Sequence, residues 1–175
     1  GTGGSGGGLL VGDNASAWLD SLIIRNNIAN NEGGGLFCSD GEQLNLQNCT
    51  FEENYAGISG GAIYCNLSSN SAQTLNVIDS DFNRNQANFG GAIRVLGSSS
   101  GGTVTIDNSI FIDNSTSTSS GGAVAIDGNS GTTITNSRFE SNSSSGAGGA
   151  CTITNCDLEM RSCILKNNTA SSNGG

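Results

Sequence analysis

Apolar residues recur in short alternating runs set between paired glycines, and the same phrase is written along nearly the whole chain. Each copy reads Gly-Gly, an alternating strand, a polar turn, a second alternating strand, a small-x-aromatic-x-x-Asn unit, and Gly-Gly again. The pairs fall at Gly7-Gly8, Gly34-Gly35, Gly60-Gly61, Gly90-Gly91, Gly121-Gly122, Gly148-Gly149 and Gly174-Gly175, spaced 26 to 31 residues apart. A fixed period of this length is the signature of a stacked repeat architecture.

Aligning the copies predicts three inward faces. Counted from the second glycine, position +2 holds Leu10, Phe37, Ile63, Ile93, Val124 and Cys151, and position +4 holds Gly12, Ser39, Cys65, Val95, Ile126 and Ile153. Counted back from the small residue before the aromatic, position −3 holds Leu46, Val77, Ile106, Ile134 and Met160, and position −5 holds Leu44, Leu75, Val104, Thr132 and Leu158. The third face comes from Cys49, Ser80, Ser109, Ser137 and Cys163, which point the same way as Phe51, Phe82, Phe111, Phe139 and Leu165. Period-two alternation is that of strands buried on one face. The expected fold is therefore all-β: a right-handed parallel β-helix, or β-solenoid, of about six coils of 25–31 residues with three short strands per coil. It reads as one domain over residues 1–175, and as a segment of a longer array, since it opens on Gly1 and closes on a Gly pair in nearly the same phase.

Two columns have structural roles of their own. Asn27, Asn54, Asn85, Asn114, Asn142 and Asn168 recur once per coil, so each amide can bond its neighbours above and below as a ladder. Phe51, Phe82, Phe111 and Phe139 form an aromatic stack in the same coils.

Composition narrows the class. Proline, which cannot donate to a ladder, is absent, as expected when strands are paired on both sides. With 34% hydrophobic and 5% aromatic residues the interior is thin and filled by small side chains. The formal charge is −9, and five Arg with one Lys lie scattered, leaving no basic stripe for nucleic acid. No run of 18 apolar residues is present, so membrane insertion by this segment is not expected.

The signatures Gly-Gly-Ala-Ile, at Gly60 to Ile63 and Gly90 to Ile93, with Phe-x-x-Asn, as in Phe51 to Asn54 and Phe82 to Asn85, resemble the polymorphic outer membrane protein repeat. Their alternation covers nearly the whole chain. The resemblance implies a right-handed β-helix exported to a cell surface, commonly as an adhesin or passenger region; a translocating barrel is lacking here, which leaves anchorage open. The expected partners are then a second copy stacked end to end as a filament, flanking repeats of the same polypeptide, or host or surface glycans. An adhesive site is expected in the irregular loops Asn66 to Thr74 or Leu96 to Gly102.

Candidate chemistry is sparse. Cys38, Cys65, Cys151, Cys156 and Cys163 are candidates for disulfides, with Cys38 and Cys65 on adjacent coils of one face; Cys49 and several others equally suit small core slots. There is no C-x-x-C and no His for a mixed zinc site. Sequons at Asn14, Asn48, Asn66, Asn114, Asn142 and Asn167 are about as frequent as chance supplies; Asn14, Asn66 and Asn167, then Asn48, are the N-glycosylation candidates, because a ladder would bury Asn114 and Asn142. Asp13, Asp40 and Asp127 share one turn position, better explained by turn formation than by Ca²⁺. A polysaccharide-acting enzyme of pectate-lyase type needs clustered carboxylates with a basic partner. Glu52, Glu53, Asp81, Asp113 and Glu140 lie near one strand, with Arg84 and Arg138 expected on other registers. Ice binding needs an unbroken Thr array, and Thr105 and Thr133 are interrupted by Asn45, Asn76 and Glu159. No metal, cofactor or catalytic residue is expected, and the leading expectation is a non-enzymatic extracellular structural or adhesive solenoid.

Overall fold

A computed structural model describes residues 4–12, 14–39, 43–68, 73–97, 101–128 and 131–174. Among these residues there is no helix, and the strands form four parallel sheets of six strands each. The third coil shows the plan: Ile63–Leu67 on the first side, Thr74–Ile78 on the second, Asp81–Asn83 on the third and Gln86–Ala87 on the fourth. The chain then turns at Gly90, with φ +57°, to begin the next coil. Six strands per sheet match the expected number of coils, so five rises of about 4.8 Å separate the first rung from the last.

Each coil has four sides rather than the three expected. The fourth is a two-residue strand, such as Tyr55–Ala56 or Ser115–Thr116, directly after the ladder asparagine. Two residues are too few to show an alternation, so periodicity could not reveal it. The corners flanking the third side are single left-handed residues. Ser21, Asn48, Asp79, Asn108, Asn136 and Ser162 turn the second side into the third, and Asn26, Glu53, Arg84, Asp113, Ser141 and Asn167 turn the third into the fourth. Mostly short polar residues occupy these positions, as the left-handed region favours.

The first sheet also corrects the alignment of the first two coils. Leu9 pairs with Leu36, and Leu36 with Ile63, so Val11, Cys38 and Cys65 form the inward column. Gly12 and Ser39 do not belong to it, and Leu10 and Phe37 point outward, Leu10 being 59% exposed. The cause is a third glycine. Gly33, with φ +63°, occupies the corner that Gly60 occupies one coil later, and Gly35 takes the slot of Ala62. Counting from the second glycine of Gly34-Gly35 therefore slips by one residue, which exchanges the faces of a strand.

Elsewhere the expected register holds. Leu44, Leu75, Val104, Thr132 and Leu158 are partners on the second side, as are Leu46, Val77, Ile106, Ile134 and Met160. Phe51, Phe82, Phe111 and Phe139 are fully buried and stacked, with centroids 5.0, 4.7 and 4.7 Å apart and rings within 4° of parallel. The rise of a parallel sheet fixes that spacing, which coincides with the separation stacked rings prefer.

Candidate functional site: ladders, surface charges and end faces

The asparagine column is a ladder with three hydrogen bonds per step. Each asparagine donates its backbone N–H and its Nδ2–H to Oδ1 of the next; the Nδ2–H also donates to the main-chain oxygen of the residue three before the previous asparagine. At the central step Asn85 N and Nδ2 donate to Asn114 Oδ1 at 2.9 and 3.0 Å, and Asn114 Nδ2 donates to Phe82 O at 2.9 Å. The pattern repeats from Asn27 through Asn54, Asn85, Asn114 and Asn142 to Asn168. The left-handed conformation belongs to the residue before each asparagine, so hydrogen bonding rather than turn tolerance selects the amide at this position. Asn85, Asn114 and Asn142 are fully buried, and a glycan cannot be attached to Asn114 or Asn142 in this fold.

A second ladder runs at the start of the third side. The backbone N–H groups of Cys49, Ser80 and Ser109 donate to the hydroxyls of Ser80, Ser109 and Ser137 at 3.1–3.2 Å. Those hydroxyls donate back to the carbonyls of Ile78, Asp107 and Thr135. At the column's ends the thiols of Cys49 and Cys163 make the same local bond, each at 3.2 Å to a carbonyl two residues earlier. Sequence inspection identified the column as small and inward; the signal for its hydrogen bonding was the recurrence of Ser where Ala would equally have filled the space.

None of the six cysteines is in a disulfide. Cys38 and Cys65 are register partners, both fully buried, and their mutual hydrogen bond together with burial pushes the Cys65 thiol well up from its ordinary value. Burial also pushes up Cys151, which Cys163 reinforces, and Cys156, whose sulfur lies 3.8 Å from Thr132 Oγ1. Of the sequon residues outside the ladder, Asn14, Asn48 and Asn167 are exposed and Asn66 is half-buried. Asn48 Nδ2 donates to Asp20.

The surface carboxylates are better matched than the sequence suggested. Arg84 lies one rise from Glu53 in the same corner column and pairs with both Glu52 and Glu53, while Arg138 and Lys166 pair with Glu140 at 3.3 and 3.2 Å. Arg84 and Lys166 reach carboxylates on a neighbouring coil, some 30 positions away, which a comparison of local spacing does not capture, whereas Arg138 and Glu140 share one strand. Among the described residues no group of three His, Cys, Asp or Glu is placed to hold a metal. Asp127 pairs in register with Leu96, and through Leu96 and Asn66 with Ser39; Asp13 and Asp40 lie outside the described residues, as do parts of both irregular loops.

Two concavities mark the ends. One, of about 420 Å³, is lined by Cys151, Leu158, Met160, Leu165 and Asn168 of the last rung. The other, of about 360 Å³, is lined by Leu9, Leu22, Ile24 and Asn27 of the first. Both are the solenoid interior meeting solvent where the rungs stop.

The match to the model of the right-handed beta helix region over residues 3–111 accords with this geometry and covers more than half of the chain. The chain belongs to the right-handed beta helix family. Neither the curated proteins nor the solved structures compared with it give a match. Among the described residues of this beta-helix chain no helix is long and apolar enough to cross a membrane.

Proposed function

We propose that this beta-helix chain is a non-enzymatic, extracellular structural or adhesive element, related to the polymorphic outer membrane protein repeat. The observation that carries the reading is the engagement of the surface carboxylates: Glu52, Glu53 and Glu140 on a long side are paired with Arg84, Arg138 and Lys166. A lateral cleft with a free carboxylate pair, which polysaccharide cleavage would use, is not what supports this assignment; a stiff, hydrogen-bonded stack is. Adhesion falls to the loops Asn66 to Thr74 and Leu96 to Gly102, with surface glycans as ligand, and N-linked sugar is proposed at Asn14, Asn48, Asn66 and Asn167.

The test has two arms. Membrane-impermeant labelling of intact producing cells should modify Lys166, and purified chain incubated with acidic polysaccharides should release neither reducing nor unsaturated ends. Release of such ends by the purified chain, lost in a Glu140→Gln variant, overturns the non-enzymatic reading; a chain protected from the label in intact cells overturns the extracellular one.

A further inference from the structure

Two cysteines stand one above the other in a column that is otherwise Val and Ile. Val11, Cys38, Cys65, Val95, Ile126 and Ile153 follow one another along the inward face of the first sheet, each one rise from the next. Counted from the glycine pairs, Cys38 falls one position short of Cys65; the corner at Gly33 removes that offset and sets the two directly opposite. Both are fully buried, and their thiols are hydrogen-bonded to each other. We infer that these two cysteines are joined as a disulfide in the exported chain, a staple that closes one complete coil. The inference deepens the extracellular reading above and rests on it for the oxidising surroundings in which such bonds persist.

Register partners in a parallel sheet have Cα atoms about 4.8 Å apart, inside the range of about 4.4–6.8 Å that a disulfide spans. Their Cβ atoms point the same way from that spacing and have to close by about 1 Å to reach the usual separation of about 3.8 Å. The other four cysteines are placed differently. Cys49 and Cys163 sit at the start of the third side, where each thiol donates to a carbonyl two residues earlier. Cys151 belongs to the neighbouring inward column, three rises from Ile63 through Val124 and Ile93. Cys156 lies against Thr132. Cys38 and Cys65 are the two that the strand register itself brings face to face.

The bond forms by exchange with a low-molecular-weight disulfide, RSSR, which takes the two electrons. One cysteine thiolate attacks RSSR and expels RS⁻; the second attacks the mixed disulfide and expels the other RS⁻. The protons of the two cysteines pass to the leaving groups, so two thiols and RSSR give one cystine and two RSH. Burial holds Cys65 as the thiol once the stack is closed, so the exchange belongs to the open coil during folding, and the closed stack then shields the bond from reductant.

Refolding the whole chain in a mixture of reduced and oxidised glutathione, with alkylation of the remaining thiols and digestion at glutamate without reduction, tests the staple. Cleavage after Glu42 and Glu52 puts Cys38, Cys49 and Cys65 on separate peptides. The expected product is the Cys38 peptide linked to the Cys65 peptide, two hydrogens lighter than their sum, with Cys49 outside the link. The closed ring holds about 27 residues, and its loop entropy should raise the melting midpoint of the oxidised chain by about 10 °C over the same chain in a phosphine reductant. Cys38→Val combined with Cys65→Val keeps the residue type of the column and should abolish that difference. Alkylated Cys38 and Cys65 after refolding, or either one linked to another cysteine, overturns the staple and leaves the extracellular reading standing; so does a redox-dependent midpoint that persists in the double valine variant. A chain protected from the surface label in intact cells sinks the extracellular reading without touching the bond found on refolding.

Discussion

Replacing Asn114 by alanine removes the middle of the ladder. Its Oδ1 accepts from Asn85 N and Nδ2, and its Nδ2–H donates to Phe82 O and Asn142 Oδ1. Asn85 Nδ2 keeps its bond to Phe51 O, and Asn142 Oδ1 keeps the backbone N–H of residue 114. Asn85 N–H is left without a partner, while Phe82 O keeps the ladder bond from Ile112 N–H that the register of the third side gives it. At about 1–3 kcal/mol for the orphaned group and about 1 kcal/mol for the second bond lost at Phe82 O, the substitution costs about 3 kcal/mol. In a domain of this size about 3 °C of melting temperature accompanies each kcal/mol, so the midpoint should fall by about 9 °C. Asn27→Ala is the control. It removes only the Nδ2–H bond of one step at a half-buried end, the backbone N–H of residue 27 still donating to Asn54 Oδ1, and should cost about 1 kcal/mol. Urea titration followed by far-ultraviolet circular dichroism measures both, and an unchanged slope would place the loss in the folded state. A cost for Asn114→Ala below about 1 kcal/mol, or equal to that of Asn27→Ala, would refute the view that the buried amides hold the coils together.

Further outcomes follow from the same geometry. Phe111→Ala should cost about 4 kcal/mol and Phe111→Leu clearly less, because Phe111 is stacked on both faces and fully buried; equal losses in melting experiments would deny the packing role. Gly91→Ala should abolish folding or cost about 3 kcal/mol or more, since a Cβ there would meet the carbonyl oxygen of Gly122, whereas Gly131→Ala meets nothing within 4 Å and should fall within about 0.5 kcal/mol of wild type in the same titration. Thr135 and Asn136 hold Asp107 below the usual carboxylate value, and Asn155 and Thr154 do the same for Asp127. Such depressed carboxyls contribute stability that is present above their unfolded value near 3.8 and is lost as pH falls through the folded one; melting midpoints should drop below about pH 4, less steeply in Asp107→Asn with Asp127→Asn. With burial suppressing its thiolate, Cys65 should be alkylated by iodoacetamide at pH 8 only as fast as the chain unfolds; rapid labelling of the native protein, read by peptide mass, would contradict its burial.

Much of the architecture was legible because its determinants repeat. The columns at Leu44, Leu75 and Val104 and at Leu46, Val77 and Ile106 alternate beside a constant Phe-x-x-Asn anchor, so counting from that anchor placed every residue correctly. Counting from the glycines worked only where the corner holds Gly-Gly-Ala. At Gly33-Gly34-Gly35 three identical residues give no phase, and Leu10 and Phe37 were assigned inward in place of Leu9 and Leu36. The fourth side escaped because it is two residues long and begins straight after the ladder asparagine. The ion pairs of Arg84 with Glu52 and Glu53 escaped because they join coils across 31 and 32 positions. What a sequence shows well is the column; what it hides is which column stands beside which around the corner.

The claim on which everything else depends is that identical residue types lie directly above one another. Solid-state nuclear magnetic resonance on protein labelled with ¹³C at the phenylalanine rings measures this most directly. The account predicts strong dipolar contacts between the rings of Phe82 and Phe111 and of Phe111 and Phe139, with centroids 4.7 Å apart, and none between Phe51 and Phe139, three rungs removed. Phe82 and Phe111 found beyond about 7 Å, outside the range of paired aromatic rings, would contradict it.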